Sequence, residues 1–295
     1  MNSISIVIAT LNRTSFLLQT LQDLIVQEYE PGFEIIIVDQ SEKEDTAIIS
    51  FVKLYQFIKY HFITHFKGLP EARNFGVKTA ANDYILFVDD DIRCEKDLLT
   101  EHAKFLVDEK ISVVAGGITE KYDDNKIEPV GSFNNIIAEP SRGFHINLKK
   151  IVDHAGGGNF SVKRNSFHEI GGIDEHLTEG AALYEETDFC LRMKKAGYIV
   201  FYNYEAHVTH LAAATGGCRV AEIDQYIYSL ARNRSIIIER HLPWYFKLTA
   251  YLYLSKLVLA YLIKHKSLNI WKQYLKGKRE GKLIGTLEVK NEQLN

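Results

Sequence analysis

Cysteine is scarce in this chain of 295 residues: Cys94, Cys190 and Cys218 are all it has. They lie far apart and none shares a Cys-x-x-Cys spacing. That argues against a disulfide framework or a structural zinc site and suits a reducing compartment. The opening stretch MNSISIVIATLNR lacks the basic start and the long apolar run of a signal peptide, and reads as a first β-strand. Internal repeats and low-complexity tracts are missing as well.

What is present fits a globular protein: 46% hydrophobic and 25% charged residues, enough chain for one large α/β domain plus an appendage. The net charge of −3 conceals a division. Residues 1–220 carry 22 Lys and Arg against 32 Asp and Glu, a net −10; residues 221–295 carry 13 against 6, a net +7. An acidic body with a basic tail is not a nucleic-acid-binding pattern. It suits a tail that meets an anionic surface, a membrane first among them.

Three apolar runs read as buried strands: Ile4–Ala9, Glu34–Val38 and Tyr84–Val88. Helical stretches fall at about Thr14–Gln27, Thr46–Leu54 and Glu71–Thr79. The order β-α-β-α-α-β implies a parallel sheet with helices on its faces. Weaker strands are expected at Ser112–Ala115 and Ile199–Tyr202, with a loop-rich middle at about 117–155. In such sheets ligands bind beyond the carboxyl ends of the strands, so the residues just after each strand come first.

After the third strand stand Asp89, Asp90 and Asp91. Three adjacent carboxylates repel one another unless a positive group sits among them, and a divalent cation with a diphosphate would supply the balance. The competing role is an N-terminal cap for a helix at about 96–107. After the second strand, Asp39 is either a hydrogen-bond acceptor for a base or ribose, or an ordinary turn residue. After the first, Thr10, Asn12 and Arg13 form a nucleotide-contacting turn or a polar helix start. Glycine is absent from this turn, which counts against a sugar-phosphate nucleotidyltransferase.

Taken in order, SIVIATLNR, EIIIVDQSE and KGLPEARNFGVKTAANDYILFVDDDI resemble the nucleotide-binding half of family-two glycosyltransferases. The resemblance covers an aspartate after strand two, a G-x-x-x-A-R-N-x-G segment from Gly68 to Gly76, and a D-x-D sequence. It implies the GT-A fold: a Rossmann-like, mostly parallel sheet flanked by helices. It places Asp39 on a pyrimidine base, Arg73 and Asn74 facing the nucleotide, Asp89 near the ribose and Asp91 on Mg²⁺ or Mn²⁺; Asp89 is a second candidate for the metal and Asp90 for either role, since the sequence does not assign the three.

Further on, the turn Gly156-Gly157-Gly158-Asn159 enters an apolar strand, and the family places donor or acceptor contacts there. The segment YEETDFCLR is similar to the family's E-D-x-D-(F/L)-x-x-R, whose second residue is the general base. Here that residue is Glu186, one methylene longer than the usual aspartate, with Glu185 as the alternative. Residues 186–196 read as a helix on which Asp188 and Arg192 can pair four residues apart. A histidine that completes the metal site is matched by His210, or else His207. The Gly216-Gly217 segment suggests a loop closing over the donor.

The implied reaction is inverting sugar transfer from a UDP- or dTDP-sugar to a saccharide or lipid-linked acceptor by residues 1–220. A non-catalytic sugar-nucleotide sensor or scaffold is the alternative. Residues 221–295 form a basic, aromatic helical extension. Leu242–Ile263 is long enough to span a bilayer, but a lysine at mid-bilayer costs about 2.5–3.5 kcal/mol on insertion scales, and Lys247 and Lys256 fall within it. A helix lying at the inner leaflet or packing on the domain are the other options, giving a cytoplasmic enzyme peripheral to the membrane.

Overall fold

The computed structural model describes residues 2–121, 128–213, 220, 222–289 and 291–294. The Gly216-Gly217 segment and Cys218 lie outside the described residues.

The first half alternates strand and helix throughout: β1 (Ile4–Thr10), α1 (Thr14–Leu24), β2 (Phe33–Asp39), α2 (Thr46–Val52), β3 (Ile58–Phe62), α3 (Leu69–Thr79) and β4 (Tyr84–Val88). The expected α-α step is therefore interrupted by a strand. β3 is at the sheet edge and only Ile58 in it is buried, so IKYHF carries no apolar run to announce it. β5 (Ile92–Cys94), α4 (Leu98–Leu106) and β6 (Ile111–Glu120) follow. The middle that read as loop holds three short strands, β7 (Val130–Asn134), β8 (Glu139–Arg142) and β9 (Lys149–Val152). Then come β10 (Asn159–Lys163), α5 (Arg164–Glu169), α6 (Glu185–Lys195) and β11 (Ile199–His210), the last much longer than expected.

The main sheet runs β3-β2-β1-β4-β10-β6-β11-β5, with β9 added on β11. β1 to β4 are parallel; β10 is antiparallel to both β4 and β6. Successive residues of β4 serve opposite faces, as a pleated strand requires. Ile85 and Phe87 join the core under α3 and α6, while Leu86 and Val88 join the core under α1 and α4. Each such side chain, fully buried, is worth about 1.5–3 kcal/mol.

Register decides what meets at the functional edge. Thr10 pairs with Asp39, and Val88 pairs with Asn159, so the Asp89–Asp91 run and the Gly156–Gly158 turn leave the sheet together. β5 begins directly after Asp91 and runs antiparallel to β11, pairing Ile92 with His210. The short β5 thus folds His210 back onto Asp91. Because β5 also stands between the aspartates and α4, whose capping position is Asp97, the triplet is not a helix cap.

The extension is helical, as expected: α7 (Ile223–His241), α8 (Trp244–His265) and α9 (Leu268–Ile284) share one apolar core with Phe133 and Ala138. α7 is also tied to the body by polar contacts. Arg232 donates to the His176 carbonyl, Asn233 to that of Leu177, and Arg240 pairs with Asp174 at 2.7 Å.

Candidate active site

Beyond the strand ends lies a cavity of about 580 Å³, lined among others by Arg73, Asp89, Gly156 to Gly158, Glu185, Glu186 and His210. On one wall, Asp89, Asp91 and His210 each offer a ligand atom, all within 4.8 Å of one another. His210 Nε2 is 3.1 Å from Asp91 Oδ1 and 3.9 Å from Asp89 Oδ2. Asp91 is fully buried; its Oδ2 accepts from the Ala213 amide, while its Oδ1 has no partner of hydrogen-bonding geometry among the described residues. The 3.1 Å approach of His210 is therefore electrostatic rather than a well-directed bond. A buried carboxylate oxygen left unbonded beside a second carboxylate and an imidazole fits a hard divalent cation.

His210 Nδ1 lies 2.7 Å from Glu120 Oε2, a second-layer contact that orients the ring. Burial alone would lower the His210 pKa, but the carboxylates of Asp91, Glu120 and Asp89 around the ring outweigh burial and push it up to about 10. The site is strongly cation-seeking.

Asp90 turns elsewhere. Its carboxylate accepts from Thr10 Oγ1 at 2.7 Å and from Arg13 at 2.9 Å, and burial raises its pKa to about 6 against the pull of both. Thr10, Arg13 and Asp90 therefore brace the aspartate turn from behind, with Arg13 also 3.5 Å from Asp91. Asp39 is fully buried and accepts from the Tyr60 hydroxyl and the Ser41 amide. Asn12, at φ 56°, accepts from the Glu42 amide and links the first two strand ends.

Gly68 opens α3 where a Cβ would sit 1.9 Å from Thr178 Oγ1, so no side chain fits. Both its peptide groups are held by the Gln40 amide at 2.9 Å. From α3, Arg73 reaches the cavity: it pairs with Glu185, donates to the Gly157 carbonyl at 2.6 Å and lies 3.6 Å from Asp89.

Two asparagines are not where the sequence put them. Asn74 does not face the cavity; it bonds the Ile173 backbone on both sides and Glu175, joining α3 to the 3-10 turn Glu175–Thr178. Asn159, next to the glycines, donates to the Gly117 and Ala206 carbonyls and contacts His102 Nε2. It stitches β10, β6 and β11 together and offers a ligand nothing. His207 is likewise engaged, with Thr119 at 2.9 Å.

The opposite wall is the start of α6. It is entered through Ala182 and Tyr184, both at positive φ (48° and 71°), a strain on the order of 1–3 kcal/mol each. Glu185 is buried against Arg73; burial raises its carboxyl pKa, while the Arg73 guanidinium opposes that rise and favours the charged form. Glu186 lines the cavity, with only the Thr187 hydroxyl, at 3.3 Å, bonding to its carboxylate among the described residues. Asp188 pairs with Arg192, as its spacing suggested, and also with Arg240 and His241 of α7. Burial opposes its charge, but Arg192, Arg240 and the hydrogen bond with His241 hold its pKa far below the usual carboxylate range. The turn between the walls is glycine throughout: a Cβ on Gly158 would be 2.7 Å from Asp89 Oδ2, and one on Gly157 would be 3.6 Å from Glu186 Oε2.

Sequence reasoning missed Gln40, Tyr60, Glu120, Arg240 and His241. Gln40 follows a strand directly and the strand-end rule would have found it. The others reach the site only through sheet register or through helix packing from more than fifty residues away.

Comparison with known proteins agrees with this geometry. Residues 5–171 match the model of glycosyl transferase family 2. The glucosyl-dolichyl phosphate glucuronosyltransferase of Haloferax volcanii is 25% identical over 215 residues, covering 70% of this chain and 68% of that protein. Among solved structures, S. aureus TarS 1-349 in complex with UDP-GlcNAc superposes with a TM-score of 0.65 at 14% identity, covering 97% of this chain and 82% of that one. The mannosyltransferase PcManGT from Pyrobaculum calidifontis, in complex with GDP-Man and Mn²⁺, gives 0.59 at 15% identity, covering 96% and 85%. Both are similar in fold. With a family match across more than half its length, on a GT-A-like sheet, this chain belongs to glycosyl transferase family 2 and is a glycosyltransferase.

Proposed function

We propose that the enzyme moves a sugar from a nucleoside-diphosphate sugar to a hydroxyl of a saccharide or lipid-linked acceptor in cell-envelope polysaccharide synthesis, with inversion and with a divalent cation. The observation that carries this is the two-walled cavity: Asp89, Asp91 and His210 on one side and the open carboxylate of Glu186 on the other, separated by a glycine turn.

In this reading Glu186 accepts the proton of the acceptor hydroxyl as its oxygen forms a bond to the anomeric carbon and the bond to the diphosphate breaks. One displacement inverts that centre. Glu185 does not compete for the proton, because Arg73 holds it. Mg²⁺ or Mn²⁺ held by Asp89, Asp91 and His210 would supply Lewis acidity toward the departing diphosphate. Arg73 adds a fixed positive charge between the walls, and Gly157 and Gly158 let the donor approach the backbone. The family resemblance that puts Asp39 on a pyrimidine base favours a UDP- or dTDP-sugar. Such an enzyme works at the cytoplasmic face of the membrane, where a lipid-linked acceptor presents its head.

Nucleoside-diphosphate release from a panel of nucleotide sugars, with and without Mn²⁺, tests the reading. Release that needs the cation and is lost in Asp91→Ala and in Glu186→Gln supports it. Tight donor binding with no turnover on any acceptor, lipid-linked ones included, would replace it with the scaffold role.

A further inference from the structure

The C-terminal helices carry a surface that the transfer chemistry does not use. Along α8, Trp244, Leu248, Leu252, Leu259 and Ile263 are all exposed, Trp244 by 82% and Leu248 by 67%. Their spacing of four, four, seven and four residues puts them on one side of the helix, a stripe about 28 Å long. After the two-residue break at Lys266 and Ser267, α9 continues the exposure with Leu268, at 81%. A water-soluble surface rarely keeps so long an apolar strip uncovered.

The charge beside it identifies the occupant. Residues 244–282 contain nine Lys and Arg and one acid, Glu280. Lys256 flanks the stripe, Lys264 and Lys266 close the end of α8, and Lys272 lies exposed between the apolar positions of α9. An apolar strip bordered by cations complements the acyl boundary and phosphate layer of an anionic lipid leaflet.

The 22-residue helix is long and apolar enough to cross a bilayer, with a mean hydropathy of 1.4 over its most apolar 18 residues, yet only 22% of that window is buried. Its other side forbids crossing. Ala250, Tyr251, Leu254 and Val258 pack into the core shared with α7 and α9. Tyr251 donates to Glu239 of α7 at 2.8 Å and Lys247 pairs with the same carboxylate at 2.6 Å. A spanning α8 would drag these charges into hydrocarbon or strip the helix from its core.

We infer that α8 and the start of α9 dock on an anionic lipid leaflet, lying in its plane with the Trp244–Ile263 stripe in the acyl boundary. The inference deepens the lipid-linked-acceptor reading by naming how the enzyme reaches that substrate, but it stands on other residues. A second cavity, of about 640 Å³, shares Pro140, Arg142, Leu183 and Tyr184 with the first and is bounded by Leu257 of α8.

Co-sedimentation of the full chain with vesicles of phosphatidylcholine alone, or with one-third phosphatidylglycerol, tests this. Binding is expected to be at least tenfold tighter on the anionic vesicles and to weaken as salt rises. Leu248→Asp with Leu252→Asp should abolish it, and Lys264→Glu with Lys266→Glu should lower it tenfold on anionic vesicles only. Thermal shift with a nucleotide sugar should be unchanged in both pairs, which certifies folding and tests the donor reading separately. Wild-type protein that ignores vesicles of either kind, or aspartate variants that bind as wild type, would overturn the inference. So would a stripe that makes a dimer in sedimentation analysis and loses it, rather than vesicle binding, on substitution.

Discussion

Two acidic runs face each other across the cavity, one at the end of a strand and one at the start of a helix. Each leaves a carboxylate open and commits a neighbour to arginine. In the strand-end run, Asp90 goes back to Arg13 while Asp89 and Asp91 converge with His210. In the helix run, Glu185 goes to Arg73 and Asp188 to Arg192 and Arg240, leaving Glu186 to the cavity. A strand end sends successive side chains to opposite sides, whereas a helix turns them by about 100°. Chemically identical neighbours thus receive different tasks from the backbone alone. The two runs are not independent, because Arg73 lies between Asp89 and Glu185.

The sharpest way to break this comparison is to exchange the roles of the two glutamates. Glu186→Gln should lower turnover by about 10²–10⁴-fold, the usual share of a general base, with donor binding by thermal shift unchanged. Glu185→Gln should instead unfold more readily, because Arg73 would keep a buried charge without its partner, a loss of roughly 3–5 kcal/mol. A stable, fully bound but inactive Glu185→Gln beside an active Glu186→Gln would reverse the assignment.

The same contrast explains what was legible in the sequence. The apolar runs before Thr10, Asp39 and Asp89 are long and buried on both faces, so the parallel half of the sheet could be read from them. β3 was not legible because an edge strand buries too little to be apolar. The order of the motifs carried the family and the sheet edge that holds the site. Side-chain direction was not carried: Asn74 and Asn159 sit inside the right motifs, yet each is consumed by backbone groups of distant segments. The α7 partners of Asp188, Arg240 and His241, lay outside any local pattern, since they arrive from a helix that read only as a basic tail.

Those partners provide the next test, of stability rather than rate. Asp188→Ala leaves Arg192 buried without its carboxylate and Arg240 with Asp174 alone, with an expected cost of about 3–5 kcal/mol. In a chain of this size that lowers the melting temperature on the order of 10 °C. The pH dependence has a fixed sign. The folded pKa of Asp188 is depressed below its unfolded value, so its contribution is complete above about pH 5 and shrinks as pH falls through the unfolded value near ~4 toward the folded one. Melting curves of wild type and variant should stay apart at neutral pH and draw together in acid. A gap that widens on acidification would show that Asp188 is not held as its charged form.

The smallest expected effect falls between the two runs, at the glycines. Gly157 and Gly158 are adjacent, yet an added methyl meets different walls. At Gly157 its nearest neighbours, Arg73, Glu185 and Glu186, all lie at 3.6 Å, an ordinary contact. At Gly158 it would come within 2.7 Å of Asp89 Oδ2, closer than real methyl contacts allow. Asp89 is one-third exposed, so its carboxylate can swing aside while the backbone, tied by the Asp89 amide to the Gly158 carbonyl, stays in place. Gly158→Ala should therefore leave stability within about 1 kcal/mol, as for most mild substitutions. It should nonetheless displace one of the three groups that converge on the cation. Mn²⁺ affinity by calorimetry is expected to fall roughly tenfold, the scale of a disturbed ligand shell, while Gly157→Ala leaves it unchanged. Equal cation affinity in both variants would mean that Asp89 stands outside the metal site and that Asp91 and His210 hold it without their exposed neighbour.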